Sequence, residues 1–439
     1  MQSNNLKKSW RRKILINKKE RAIIVDFSKN QTQFDSAIHG SIWNAGRLIF
    51  PLNKSLEGIK DEKTKAACAD YYNCTVNGYA DMYANLEIYG LHQDEAEQLL
   101  QGKNWGKAMV AADIKDDKAK MKQFTLIGKR IDFIKHIHEM IKKYCAVSGK
   151  VAKISTDNYN KIVKFFKSHC GYNEEKFLEL TKRLSFEITP VNNGYELTNS
   201  KYPGMLEAMI IMHETCKNLT KNHKGPNHSS PFLMAERFLD FRVLGDEYEC
   251  TLEDALYSID DANKKEVLRL SEILLSLGFE QKCRLNSVDW TYDGKGAVSF
   301  NGMKPYMDVG KEGNLKHLIR VHFDRWNNFG KGGEPFGDGG VDIQNKAIME
   351  QVFDAKPNAD ELKRFCILNL IKCRECGCKN WGPPPHGQCK VLFGKRFRTC
   401  GGHTNIGIEH LNKDNFDIIV DLAKAKIETI NFNKKLPAK

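Results

Sequence analysis

Apolar positions along the chain fall into two rhythms, one helical and one alternating. From Lys60 to Val147 the spacing is helical: Tyr71, Tyr72, Tyr79, Met82, Tyr83, Leu86 and Tyr89 recur three and four residues apart. Such a stripe predicts helices with a buried face, and it is core rather than a cofactor box. The longest regular segment spans Met121 to Cys145, where Ile127, Ile131, Ile134, Ile137 and Ile141 share one side of a predicted helix. Lys129, Arg130, Lys135, Lys142 and Lys143 occupy its other sides. Before this region, Ala22-Ile-Ile-Val-Asp-Phe27 is a β-branched run that predicts a strand.

The second half follows a repeated plan. Lys264 to Phe279 is amphipathic, with Val267, Leu268, Leu270, Leu274 and Leu277 on one side, and Asp289-Trp-Thr-Tyr and Ala297-Val-Ser-Phe300 then predict strands. Asn301-Gly302 predicts the tight hairpin turn that returns the chain through Met303 to Val309. A second helix is expected around Leu315, Leu318, Ile319, Phe323 and Trp326. The same order recurs after residue 345: a helix from Asp360 to Ile371, a hairpin at Val391-Leu-Phe393, Gly394-Lys395 and Arg396-Phe-Arg398, and a last helix lined by Phe416, Ile419, Ala423 and Ile427. A weaker third copy has helices Glu174 to Leu184 and Met205 to Leu219, without a visible hairpin between them.

These patterns predict an α+β multidomain protein, with a mainly helical N-terminal domain followed by repeated helix–β-hairpin–helix modules, the last bearing a zinc-ribbon-like insertion. The expected division is a basic arm (1–21), the helical domain (22–155), three α+β modules (156–245, 246–329 and 346–439) and a glycine-rich linker (330–345). Gly330 to Gly340 has six glycines in eleven residues and lacks the Gly-Lys-Ser/Thr ending of a nucleotide loop, so it reads as the linker.

Charge adds a partner class. The chain has 68 Lys and Arg against 55 Asp and Glu, a formal +13, which favours polyanions. Residues 1–21 carry eight basic side chains, among them Arg11, Arg12 and Lys13, with Trp10 between and one acid. Such an arm can hold phosphates. There is no apolar run of the length a membrane helix needs and no apolar signal core near the N-terminus. Thirteen irregularly spaced cysteines fit a reducing compartment, and the cytoplasm is the expected location.

Six cysteines lie between residues 366 and 403. Cys373-Arg-Glu-Cys376-Gly377 is a turn that aims two thiols one way, and Cys400-Gly-Gly-His403 repeats it after 23 residues. Two such turns predict a zinc site of Cys373, Cys376, Cys400 and His403, with Cys378 and Cys389 in reserve. Cys366 lies in an apolar helix and reads as core. Between Lys372 and Arg398 there are seven Lys or Arg residues, including Lys390, Lys395, Arg396 and Arg398, against the single acid Glu375. Trp381 stands beside three prolines. Cations, aromatics and a metal that fixes them predict a nucleic-acid contact, RNA or DNA.

Two alternatives stand beside that expectation. A zinc-stabilised adaptor would bind protein instead. A metal-dependent or acid–base enzyme of unknown substrate would use an open metal position, or Asp132, His136 and Glu139, which adjoin on one helix surface. No serine-hydrolase, zinc-protease or Walker motif names a reaction.

Overall fold

A computed structural model of the chain describes residues 15–16, 23–24, 38–42, 49–101, 112–222, 239–244, 249–259, 261–285, 287–302, 318–322, 350–370, 387–400, 405–408 and 411–435. They form a mixed α+β structure in two compact units, Met1–Glu249 with Val309–Asn314, and Cys250–Asp308 with Leu315–Lys439.

The first unit opens with a short antiparallel pair, β1 (Leu15–Ile16) and β2 (Ile23–Ile24), the latter inside the run expected as a strand. Helix α1 (Glu62–Ala84) starts where Asp61 accepts the Thr64 amide at 2.8 Å. That bond satisfies a donor the first turn would otherwise leave open. Tyr71, Cys74, Gly78 and Met82 are buried along α1. The packing is close at Gly78, where a Cβ would lie 2.8 Å from Leu184 Cδ2 and 3.0 Å from Ile134 Cδ1, so those side-chain ends would have to shift. After α2 (Gln93–Leu100), the segment expected as one helix from Met121 to Cys145 is instead two, α3 (Lys118–Ile131) and α4 (Phe133–Tyr144). Asp132 leaves the helical region between them (φ −81°, ψ 10°). The apolar stripe nevertheless runs across the break, since Ile127, Ile131, Ile134, Ile137 and Ile141 are all buried. Each such side chain contributes about 1.5–3 kcal/mol of burial.

A four-stranded antiparallel sheet follows, ordered β3-β4-β6-β5. Its strands are β3 (Ala146–Ser148), β4 (Val151–Ser155), β5 (Phe186–Val191) and β6 (Gly194–Asn199). Between β4 and β5 lie α5 (Thr156–Cys170) and α6 (Glu174–Arg183), capped by Ser155 and Asn173, and α7 (Met205–Asn222) follows β6. Strand β4, from the stretch 22–155, thus pairs with β6, from 156–245. A hairpin, β5–β6, lies between helices α6 and α7, where the sequence shows none. Pro190 in β5 argues against a strand by pattern, yet β5 is an edge, where a missing N–H is tolerated.

The second unit is built on a five-stranded antiparallel sheet, β13-β10-β9-β8-β7. Helix α8 (Asp261–Ser276) precedes β7 (Glu280–Arg284), β8 (Ser287–Tyr292) and β9 (Lys295–Asn301). A tight turn joins β8 to β9 at Asp293-Gly294, both in the left-handed region (φ 53° and 65°), an Asp-Gly pair with the chemistry such turns require. The return strand expected after Asn301-Gly302, Met303 to Val309, lies outside the described residues.

Leu318–His322, expected within a helix, is strand β10. Its helical spacing also fits alternation, and Ile319 and Val321 are both fully buried. Strand β10 pairs with β9 on one side and with β13 (Asn405–Ile408) on the other, so the stretches 246–329 and 346–439 contribute to one sheet. Helices α8, α9 (Ala359–Asn369) and α10 (Lys413–Lys435) supply Leu270, Leu362, Cys366, Ile419 and Ala423 to its core. Trp290 is buried with Nε1 donating to Ser271 Oγ and Gln281 Oε1, each at 3.2 Å. A separate ribbon, β11 (Gly387–Leu392) with β12 (Lys395–Cys400), pairs only with itself among the described residues.

Candidate functional site

The β11–β12 ribbon is where the expected basic contacts meet described backbone. Its turn is Phe393-Gly394, both left-handed (φ 49° and 73°), a two-residue reversal matched to the twist of paired strands. A phenylalanine is costly in that region, and its surroundings hold it there. The Phe393 amide donates to Glu350 Oε1 at 2.8 Å, and its ring stacks on Phe353 at 5.3 Å between centroids. Phe393 therefore packs against the core of the second unit. The ribbon is fastened by its tip.

Pairing sets which positions share a side. Lys390 is opposite Phe397, Val391 opposite Arg396, Leu392 opposite Lys395 and Cys389 opposite Arg398. Positions 389, 396, 398 and 400 thus fall on one side of the ribbon, and 390, 395 and 397 on the other. Lys395 is exposed. No Asp or Glu occurs anywhere in residues 387–400.

Of the expected zinc ligands, Cys400 ends β12 and the reserve Cys389 lies in β11. Cys373, Cys376, Cys378 and His403 lie outside the described residues, as do Trp381, Arg11, Arg12 and Lys13. Among the described residues no group of three or more His, Cys, Asp or Glu is placed to hold a metal ion. Cys366 is buried in the core beside Leu362, and desolvation raises its thiol well above the ordinary value.

Asp132, His136 and Glu139 do adjoin. His136 Nδ1 lies 3.3 Å from Glu139 Oε2, and the His136 amide donates to the Asp132 carbonyl at 3.0 Å. Asp132 is exposed as a residue, yet its carboxyl is raised above the ordinary value by desolvation, with Lys135 and His136 opposing. Sequence spacing missed the fourth member, His169 on α5, whose ring stands edge-on to His136 at 6.1 Å. His169 stacks on Phe165 at 4.2 Å and is held below its ordinary value by desolvation, then by Lys129 and His136. Only the packing of α4 against α5 brings it near, across 33 residues of chain. His136 Nε2 is buried without a hydrogen-bond partner among the described residues. The cluster can exchange a proton between an imidazole and a carboxylate, but a substrate needs a cavity beside it. Neither the open groove nor the small apolar cavity of this unit is lined by these residues.

His138, two residues along, serves the core. It is buried, its Nδ1 lies 3.0 Å from the Tyr71 hydroxyl, and burial lowers its value to about 3. It is a neutral imidazole at every ordinary pH.

No helix among the described residues is long and apolar enough to cross a membrane. A scan against models of known protein families, a search of curated proteins and a search of solved structures each find no match to this chain.

Proposed function

We propose that this protein binds nucleic acid through the basic ribbon of its second unit, with a zinc ion holding the adjoining chain in a ribbon-like module. The supporting observation is the ribbon itself. Four cations, Lys390, Lys395, Arg396 and Arg398, stand within six paired rungs that contain no carboxylate, on a hairpin anchored at its tip by Phe393. Cations on a fixed backbone neutralise phosphates without a large ordering cost. Trp381 and the arm residues Arg11, Arg12 and Lys13 are the further contacts of this reading, for stacking and for phosphate.

Cys373, Cys376, Cys400 and His403 are the proposed zinc ligands. Cys378 and Cys389 remain the reserves, and Cys389 shares its side of the ribbon with Cys400. A thiolate-rich set that closes all four positions is structural, which accords with binding rather than catalysis. We place the protein in the cytoplasm, on the irregular spacing of its cysteines.

The test is charge reversal. Lys395→Glu, Arg396→Glu and Arg398→Glu together should abolish most binding to mixed RNA or DNA while the melting temperature stays within a few degrees. Unchanged affinity removes the ribbon from the interface. Elemental analysis of the purified chain should find zinc, lost on Cys373→Ser with Cys376→Ser, and a metal-free preparation of folded protein would end the zinc proposal.

A further inference from the structure

The first unit carries its charge unevenly. Its residues, 1–249 with 309–314, include 40 Lys and Arg against 31 Asp and Glu, an excess of nine. Residues 115–167 alone hold 14 against 5, again an excess of nine. The remainder of the unit is neutral on balance, the basic arm 1–21 being offset by acids elsewhere, so residues 115–167 are the unit's second concentration of positive charge. Ten lysines of this stretch are exposed, and none forms an ion pair among the described residues. On α5, Lys161, Lys164 and Lys167 stand opposite the buried Tyr159, Ile162 and Phe166.

Part of this field converges on a cavity. An open-sided groove of about 980 Å³ runs past the end of α4, strand β4, the start of α5 and the tip of the β5–β6 hairpin. That volume is at the upper end of the roughly 300–1,000 Å³ of ligand sites. Lys143 and Lys153 line it. Lys161 reaches its edge, where Nζ donates to Asn158 Oδ1 at 3.3 Å, and Asn158 Nδ2 in turn donates to the Tyr144 carbonyl at 3.0 Å. One acid, Glu196, faces the groove directly across from Lys153. The walls also hold ring surface. Tyr144 and Tyr195 are half-buried, and Tyr195 is stacked at 3.9 Å on Tyr159, whose hydroxyl is tied to Glu174 at 2.7 Å. The amides of Asn192 and Asn193 stand exposed at the hairpin tip.

Cations, fixed rings and carboxamides in one open channel are the three recognition elements of a single strand: phosphates, stacked bases and base edges. A protein partner would instead call for a continuous apolar centre, whereas the groove's apolar lining, Cys145, Ala146, Ile154, Pro190 and Val191, is interspersed with Lys143, Lys153, Asn158, Asn192, Asn193 and Glu196. A duplex hides the base faces that the tyrosines would meet. We propose that this groove binds single-stranded nucleic acid, with Lys143, Lys153 and Lys161 against phosphates and Tyr144 and Tyr195 against bases. The site is separate from the C-terminal ribbon, shares only its ligand class and rests on the first unit alone.

The experiment titrates the full chain against a fluorescent oligouridylate of about twelve nucleotides, a span suited to such channels. Neutralising Lys143, Lys153 and Lys161 to Gln should lower affinity about 10- to 100-fold and reduce the slope of log K against log salt by roughly 2, near 0.7 per lost phosphate contact. Tyr144→Leu should cost roughly tenfold. The comparison variant changes the exposed Lys265, Lys282 and Lys413 of the second unit to Gln, removes the same charge and should change affinity little. Equal losses from both triples would overturn the site, because overall charge would then suffice. Unchanged affinity in the groove triple, with binding still lost on reversal of Lys395, Arg396 and Arg398, overturns the groove and leaves the ribbon reading intact. A full chain that prefers polyglutamate or duplex to the single strand overturns it as well.

Discussion

Two hairpins, β5–β6 and β11–β12, show how the same local device is held in different ways. β5–β6 is one side of a four-stranded sheet, and Phe186 and Leu197 bury their side chains beneath it. β11–β12 has no third strand among the described residues and is joined to its core at the turn, through Phe393, Phe353 and Glu350. In the first, position is fixed along the whole length, so the tip can carry Asn192 and Asn193 beside a groove without itself being anchored. In the second, the tip is the anchor and the strands beyond it carry the cations. A hairpin fixed along its length tolerates polar residues at its turn, whereas one fixed at its turn needs an apolar residue there even at the cost of an unfavourable φ.

The comparison is broken most severely at Phe186. Phe186→Ala empties a fully buried site and should cost about 3–5 kcal/mol, seen as a large drop in the denaturation midpoint of the first unit. Next is Gly194→Ala at the start of β6, where a Cβ would sit 2.2 Å from the Ile154 carbonyl oxygen and φ is 147°. The strand must shift or stay strained, and a loss of roughly 1–3 kcal/mol is expected from the same denaturation curve. Phe393→Ala removes a half-buried ring and should cost only about 1–2 kcal/mol in the second unit, yet it should lower nucleic-acid affinity more than any equally mild core change. If affinity survives Phe393→Ala, the tip is not what positions the cations.

A smaller effect follows pH. His138 is held neutral in the folded first unit at a value of about 3, against roughly 6.5 in the unfolded chain. Below pH 6.5 the unfolded state takes up a proton that the folded state refuses. The stability tied to this histidine is thus fully present above pH 6.5 and is lost as pH falls, by at most about 1.4 kcal/mol per unit. Melting curves of the first unit between pH 7 and 5 should show that slope, and a flat profile would remove His138 from the core. The smallest expected effect is that of the contact between His136 and Glu139. His136 is largely buried and only Glu139 is partly exposed, so a small figure applies to the ion-pair contact itself, read as the coupling between His136→Gln and Glu139→Gln in the double change: about 0.5 kcal/mol or less.

Much of the helical architecture was legible in sequence, because one stripe of isoleucines or tyrosines satisfies only a 3.6-residue period. The break at Asp132 was not, since the stripe continues through it. Turn chemistry places the ribbon's reversal at Gly394-Lys395, one residue late, because a phenylalanine in the left-handed region is not expected from sequence, and it passes over Asp293-Gly294. The five residues of β10 are too few to separate a helical period from an alternating one, and β5 is obscured by a proline that its edge position permits. Site residues divide along the same line. The cations of the ribbon are neighbours in sequence and were visible as composition. Lys143, Lys153 and Lys161 are spaced across three elements, and Tyr195 and the hairpin tip join their groove only when β4 pairs with β6. His169 likewise reaches His136 only through the packing of α5 on α4.

The most direct test of nucleic-acid binding is the salt dependence of the full chain's affinity for a single-stranded RNA. Several phosphate contacts should give a linear fall of log K with log salt, steeper than about −2. A flat response would contradict phosphate neutralisation by either basic surface.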